Sequence, residues 1–216
     1  MEKEHMPATI PSRFLEWMVR SRWQLLDELD QGRQVRFFSA HLPVIASWAA
    51  DGSFPVNLSI KGIGLVPRES LLPDFIREFE DVFDQARKLD WGESFPQRSG
   101  ALKRLYADPA HFDAGRMGGL EIFEGRTLKN LRALPRTSLL FMGMLPQPQR
   151  VSYLSFQVNG EVDICPPEDP YHRFLLAARR LFEFERFHLP QNEYPLAYVI
   201  RVFEVLDKSP FIREKE

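Results

Sequence analysis

From Gly119 to Gly143 the chain reads GLEIFEGRTLKNLRALPRTSLLFMG, and no other stretch restricts the fold as much. The apolar run Leu120–Phe123 predicts a short strand. Gly125, Arg126 and Thr127 then open one or two helical turns over Leu128–Leu134, which Pro135 cuts off. A second apolar run, Thr137–Met142, predicts the next strand. A glycine, an arginine and a hydroxyl therefore stand at the start of a helix. Unpaired backbone N–H groups there attract anions such as phosphate.

Further elements surround this segment. Phe14, Leu15, Met18, Leu25, Leu26 and Leu29 recur at helical spacing, so a helix is expected over 12–31, with Gly32 as its stop. The runs Pro43–Ala49 and Val56–Lys61 flank Asp51-Gly52 and predict a hairpin. In the second run Val56, Leu58 and Ile60 share one face, and Asn57, Ser59 and Lys61 share the other. A polar face with a lysine is either a solvated surface or one wall of a site. Phe75, Phe79, Val82, Ala86 and Leu89 predict a helix over Pro73–Leu89.

Residues 90–118 carry Gly92, Pro96, Gly100, Pro109 and Gly115 and read as irregular, apart from a short helix near Gly100–Tyr106. The whole stretch of about 65–118 is taken as a helical insertion, too short to hold its own core. Val151–Val158 predicts a strand, after which Asn159-Gly160 reads as a hairpin tip or as a bend in one longer strand. Asp169-Pro170 caps a helix through Phe182, and Tyr198–Val205 is the closing strand. Antiparallel hairpins with helices outside them predict an α+β fold, mainly antiparallel β, built as a small barrel. The alternation and the GxGxxG turn of a dinucleotide fold are absent.

Composition narrows the classes. With 216 residues, 44% of them hydrophobic and 18 phenylalanines, the chain suits one domain, 1–216, with an aromatic core. A net charge of −2 supplies no electrostatic reason to expect nucleic acid or an anionic membrane as partner. The single cysteine, Cys165, rules out an intrachain disulfide, and the five histidines show no ligand spacing, so no metal site is expected. No apolar run is long enough to span a bilayer and the amino terminus lacks an apolar signal core, so a cytoplasmic protein is expected.

The order of these elements resembles the FMN-binding split barrel of the pyridoxamine 5′-phosphate oxidase-like superfamily. The resemblance is carried by AADGSFPVNLSIK, GLEIFEGRTLKNLRALP, RTSLLFMG, QVNGEVDIC and YVIRVFEV, and covers most of residues 13–206 outside the insertion. It implies a split β-barrel with flanking helices, a homodimer, and FMN bound at the interface. It also implies that Asn159-Gly160 is a bend within one strand. Lys61 falls where the family places a phosphate-holding lysine, and Arg126 where it places an arginine. Thr127 stands in the place of a lysine, Gly125 of a serine and Val56 of an arginine. The family's arginine-leucine-x-proline close is missing, which argues against vitamin B6 oxidation.

Two functions follow from the resemblance. One is an FMN-dependent oxidoreductase acting on a small molecule the sequence does not identify, with Lys61, Arg126, Thr127, Asn57 and Ser59 as cofactor-binding residues and no catalytic residue assigned. The alternative is a non-catalytic split barrel that binds haem, another small ligand or a protein partner. The bland readings of the same residues are a helix cap, a solvent face and, for Cys165, a buried inert thiol.

Overall fold

The computed structural model describes residues 8–33, 39–49, 54–146, 151–182 and 194–210. Helix α1 spans Ser12–Asp30 and ends just before Gly32, whose φ of +67° is the left-handed turn the sequence expects there. Strands β1 (Val44–Trp48) and β2 (Val56–Ile60) pair antiparallel; the turn expected at Asp51-Gly52 lies outside the described residues. Strand β3 (Gly64–Pro67) follows at once, then α2 (Leu72–Ala86) and α3 (Trp91–Leu105). Strand β4 (Phe112–Glu121), helix α4 (Arg126–Ala133) and strand β5 (Arg136–Pro146) complete the central segment. Strand β6 (Val151–Cys165), helix α5 (Pro170–Phe182) and strand β7 (Leu196–Asp207) close the chain. Among the described residues no helix is long and apolar enough to cross a membrane.

The seven strands form one antiparallel sheet in the order β2-β1-β5-β6-β7-β4-β3. Laid flat, the outer strands β2 and β3 would stand about 29 Å apart at ordinary strand spacing. Only residues 61–63 connect them, a link that reaches at most about 14 Å. The sheet must therefore curl until its two edges approach. It does not close, because β2 and β3 do not pair. The result is an α+β split barrel with flanking helices, as expected. The connector crosses close over β4: a β-carbon added at Gly119 would lie 2.1 Å from the carbonyl oxygen of Gly62.

Strand β6 is continuous through Asn159-Gly160, so the bend reading holds and the hairpin reading does not. Its pairing with β7 shifts register between those two residues, and a β-carbon on Gly160 would lie 2.4 Å from the carbonyl oxygen of Arg201. Glycine is there because two backbones approach too closely for a side chain.

The insertion is more ordered than the sequence indicates. Its ends belong to the sheet as β3 and β4, and helix α3 fills much of the stretch read as irregular. Pro96 sits in the second turn of α3, where it removes a single bond close to the helix end, while Phe95, Ala101, Leu102 and Leu105 bury a stripe. Strand β4 was masked in the sequence by Gly115, Gly118 and Gly119; its neighbours β3 and β7 supply the pairing that local propensity does not.

One main apolar cluster joins α1, α2, α3 and α5 to the sheet. Phe14 of α1 stacks on Phe156 at 4.5 Å and meets Phe141 edge-on at 5.1 Å. Those two phenylalanines point inward from β5 and β6, so Met142 and Ser155, next to them in sequence, point outward. That outer face carries Val56, Leu58 and Ile60 from β2, Leu140 and Met142 from β5, and Tyr153 from β6. Leu58, Met142 and Tyr153 are 65%, 52% and 55% exposed.

Candidate functional site

The alternation in β2 runs opposite to that of an ordinary surface strand. Its apolar residues face out, and Asn57, Ser59 and the following Lys61 turn inward. They meet the start of α4, which the extended backbone of Gly125 delivers onto the inner face of β1 and β2. The Asn57 side-chain amide donates to Thr127 Oγ1 at 3.0 Å, and Ser59 Oγ shares a hydrogen bond with the same oxygen at 2.9 Å. Asn130, one turn along α4, donates to Ser47 Oγ at 3.2 Å. Thr127 and Asn130 are buried, whereas Arg126 is exposed. Three of the five residues singled out from the sequence thus form one polar cluster.

Lys61 joins a different group. Its ammonium pairs with Glu121 Oε1 at 2.5 Å, and Glu121 is completely buried. The Phe123 backbone N–H donates to Glu121 Oε1 at 2.9 Å, and the Tyr198 hydroxyl donates to Oε2. Burial, and after it the hydrogen bond to Glu121, pushes the Tyr198 phenol well above its ordinary range. Neither Glu121 nor Tyr198 is prominent in the sequence. The one available signal was an acid within the otherwise apolar run Leu120–Phe123, since a buried carboxylate requires partners.

This corner does not fit a phosphate monoester. The charge on Lys61 is offset by Glu121, and Thr127 Oγ1 already has two partners. A phosphate brought to Lys61 would stand beside a buried carboxylate, where like charges a few ångströms apart repel by about 4 kcal/mol at an effective dielectric of ~20. What remains favourable to an anion is the first turn of α4, with no acidic residue in it and Arg126 at its first position. The remaining basic side chains near it, Lys129, Arg132 and Arg136, are exposed, and Arg136 lies 3.7 Å from Glu161.

Cys165 belongs to a second apolar cluster with Leu120, Tyr194, Ala197 and Val199. Burial, with smaller contributions from Asp169 and Asp163, pushes its thiol up to about 12 from an ordinary 9.0. The folded chain holds this proton more tightly than the unfolded chain. Its contribution to stability is thus complete below pH 9 and is lost as pH rises from 9 toward 12. A disulfide reagent at pH 8 is expected to label Cys165 only at the rate of unfolding. Rapid stoichiometric labelling of the native protein would contradict the burial.

No protein-family model matches the chain, and no curated protein matches it in sequence. Solved structures do resemble it. HupZ of Group A Streptococcus is 13% identical, with 87% of this chain and 93% of that one covered and a TM-score of 0.42. An FMN-binding protein of Syntrophomonas wolfei is 11% identical, with 91% and 92% covered and a TM-score of 0.43. A Lactobacillus delbrueckii protein assigned as a pyridoxamine 5′-phosphate oxidase is 13% identical, with 95% and 99% covered and a TM-score of 0.44.

Proposed function

We propose that the protein is a homodimeric split barrel acting as a non-catalytic binding protein, in which the corner that would anchor a flavin phosphate has become structural. The observation that carries this reading is the pairing of Lys61 with the fully buried Glu121, beside a Thr127 hydroxyl engaged by Asn57 and Ser59. The homodimer rests on the outer face of β2, β1, β5 and β6. That face exposes aliphatic, methionine and tyrosine side chains at Val56, Leu58, Ile60, Leu140, Met142 and Tyr153, with the Arg136–Glu161 pair at one end of it. An exposed apolar patch of this kind can be covered by its own copy across a two-fold axis.

The FMN-dependent oxidoreductase is the second reading, favoured by the open first turn of α4 with Arg126 beside it. Were FMN to bind, Arg126 and the α4 amides would hold its phosphate, and the flavin would supply hydride or electron transfer. Titration with FMN, followed by flavin fluorescence and the visible spectrum, separates the two. The expected result is no saturable binding up to high micromolar FMN, with or without Arg126→Ala. A yellow protein holding one FMN per chain, and losing it in Arg126→Ala, would establish the flavin reading instead.

A further inference from the structure

Four of the six methionines lie among the described residues, and they divide into two pairs. Met18 of α1 and Met117 of β4 sit in the core, 4% and 0% exposed. Met142 and Met144 of β5 are 52% and 66% exposed. Strand alternation produces the division. Leu139 and Phe141 turn inward from β5, so Leu140, Met142 and Met144 turn outward. In register, Met142 stands opposite Ser155 of β6 and Met144 opposite Tyr153. Both methionines therefore lie on the outer face that also carries Val56, Leu58 and Ile60.

Methionine is as apolar as those aliphatic neighbours but differs from them in chemistry, because its thioether can be oxidised. With hydrogen peroxide, the sulfur lone pair forms a bond to one peroxide oxygen as the O–O bond breaks, and the other oxygen leaves as water. The thioether loses two electrons, the peroxide gains two, and the product is a polar sulfoxide. Cys165 does not compete for the oxidant, since it is buried and its thiol is held protonated. Met18 and Met117 are shielded by the core and serve as controls within the same chain.

We infer that Met142 and Met144 make the dimer face peroxide-sensitive, so that their oxidation holds the protein as a monomer. The inference rests on the homodimer proposed above and names a regulation of that same face. Peroxide reaches the two thioethers while the face is uncovered, in the dissociated chain. Once sulfoxides stand there, pairing would strip water from their oxygens on a largely aliphatic face. The reaction uses no residue of the Lys61–Glu121 corner.

The test treats the full-length protein with hydrogen peroxide, locates sulfoxides by peptide mass spectrometry and reads the mass in solution by light scattering. Met142 and Met144 should oxidise first, and more slowly as protein concentration rises, while Met18 and Met117 stay intact. The dimer dissociation constant should rise at least about tenfold, because the burial penalties of the sulfoxides on both copies together exceed one decade. Methionine sulfoxide reductases acting on both epimers should restore the dimer. Met142→Leu combined with Met144→Leu should remain dimeric and insensitive to peroxide, since leucine keeps the volume and the apolar character. If that variant does not fold or pair, reversal by the reductases decides alone. A protein that stays dimeric with sulfoxide at both positions would overturn this inference and leave the homodimer standing. Oxidation of Met18 and Met117 at the same rate, or dissociation by peroxide in the leucine variant, would also overturn it. An untreated protein that is monomeric would overturn the homodimer, and this inference with it.

Discussion

Lys61→Met is expected to destabilise the protein by about 3–5 kcal/mol, the range found when one partner of a buried ion pair is removed. Glu121 would remain fully buried with only the Tyr198 hydroxyl and the Phe123 N–H to stabilise its charge. The loss should come from stranding that charge more than from the lost attraction, because the attraction itself is offset by desolvation. Adding Glu121→Gln to Lys61→Met should therefore restore most of the stability, since the glutamine oxygen still accepts from the Phe123 N–H, its amide donates to a reoriented Tyr198 hydroxyl, and no charge is left. Urea unfolding of the wild type, both single variants and the double variant measures the coupling. A Lys61→Met variant within about 1 kcal/mol of wild type would mean that the pair behaves as a surface bridge, and the corner would again be open to an anion.

The second large effect concerns assembly. Wild-type protein should elute at twice its 25.2 kDa chain mass at micromolar concentration. Leu58→Lys combined with Met142→Lys should convert it to monomer, because two charges on each of two facing copies would be buried against like charge. The positions suit the experiment: both side chains point out of the sheet and are more than half exposed, so charging them leaves the barrel core intact. Light scattering reads the mass, and thermal unfolding shows whether the monomer is still folded. A wild-type monomer, or a double-lysine variant that remains dimeric, would assign the face to another role.

The elements differ in how far local residues reveal them. Helices α1, α2, α4 and α5 and strands β1, β2, β5 and β7 were legible because an amphipathic stripe, a proline or a glycine marks each within a few residues. Strand β3 was not, being four residues long, and β4 was legible only at its end: the strand expected over Leu120–Phe123 stops at Glu121 and begins instead at Phe112, across three glycines that only its neighbours in the sheet make a strand. Helix α3 was legible only in its last turns, near Gly100–Tyr106; Gly92, Pro96 and Gly100 hid the rest, and their local cost is outweighed by burial of Phe95, Leu102 and Leu105. The order of elements was enough to indicate a split barrel, and the three-residue link between β2 and β3 gives the physical reason for it.

The candidate corner shows the opposite limit. The sequence by itself brought Asn57, Ser59 and Thr127 under suspicion through strand alternation and a helix start, and those three do meet. It could not say which face of β2 is covered, because period-two alternation has no sign until a neighbouring layer is present. Nor could it foresee that Lys61 would be spent on Glu121, sixty residues away, with Tyr198 on the far side of the same carboxylate. Such a meeting depends on how far the sheet curls. Curl is a property of all seven strands together, so the chemistry of the corner was decided only in the tertiary structure.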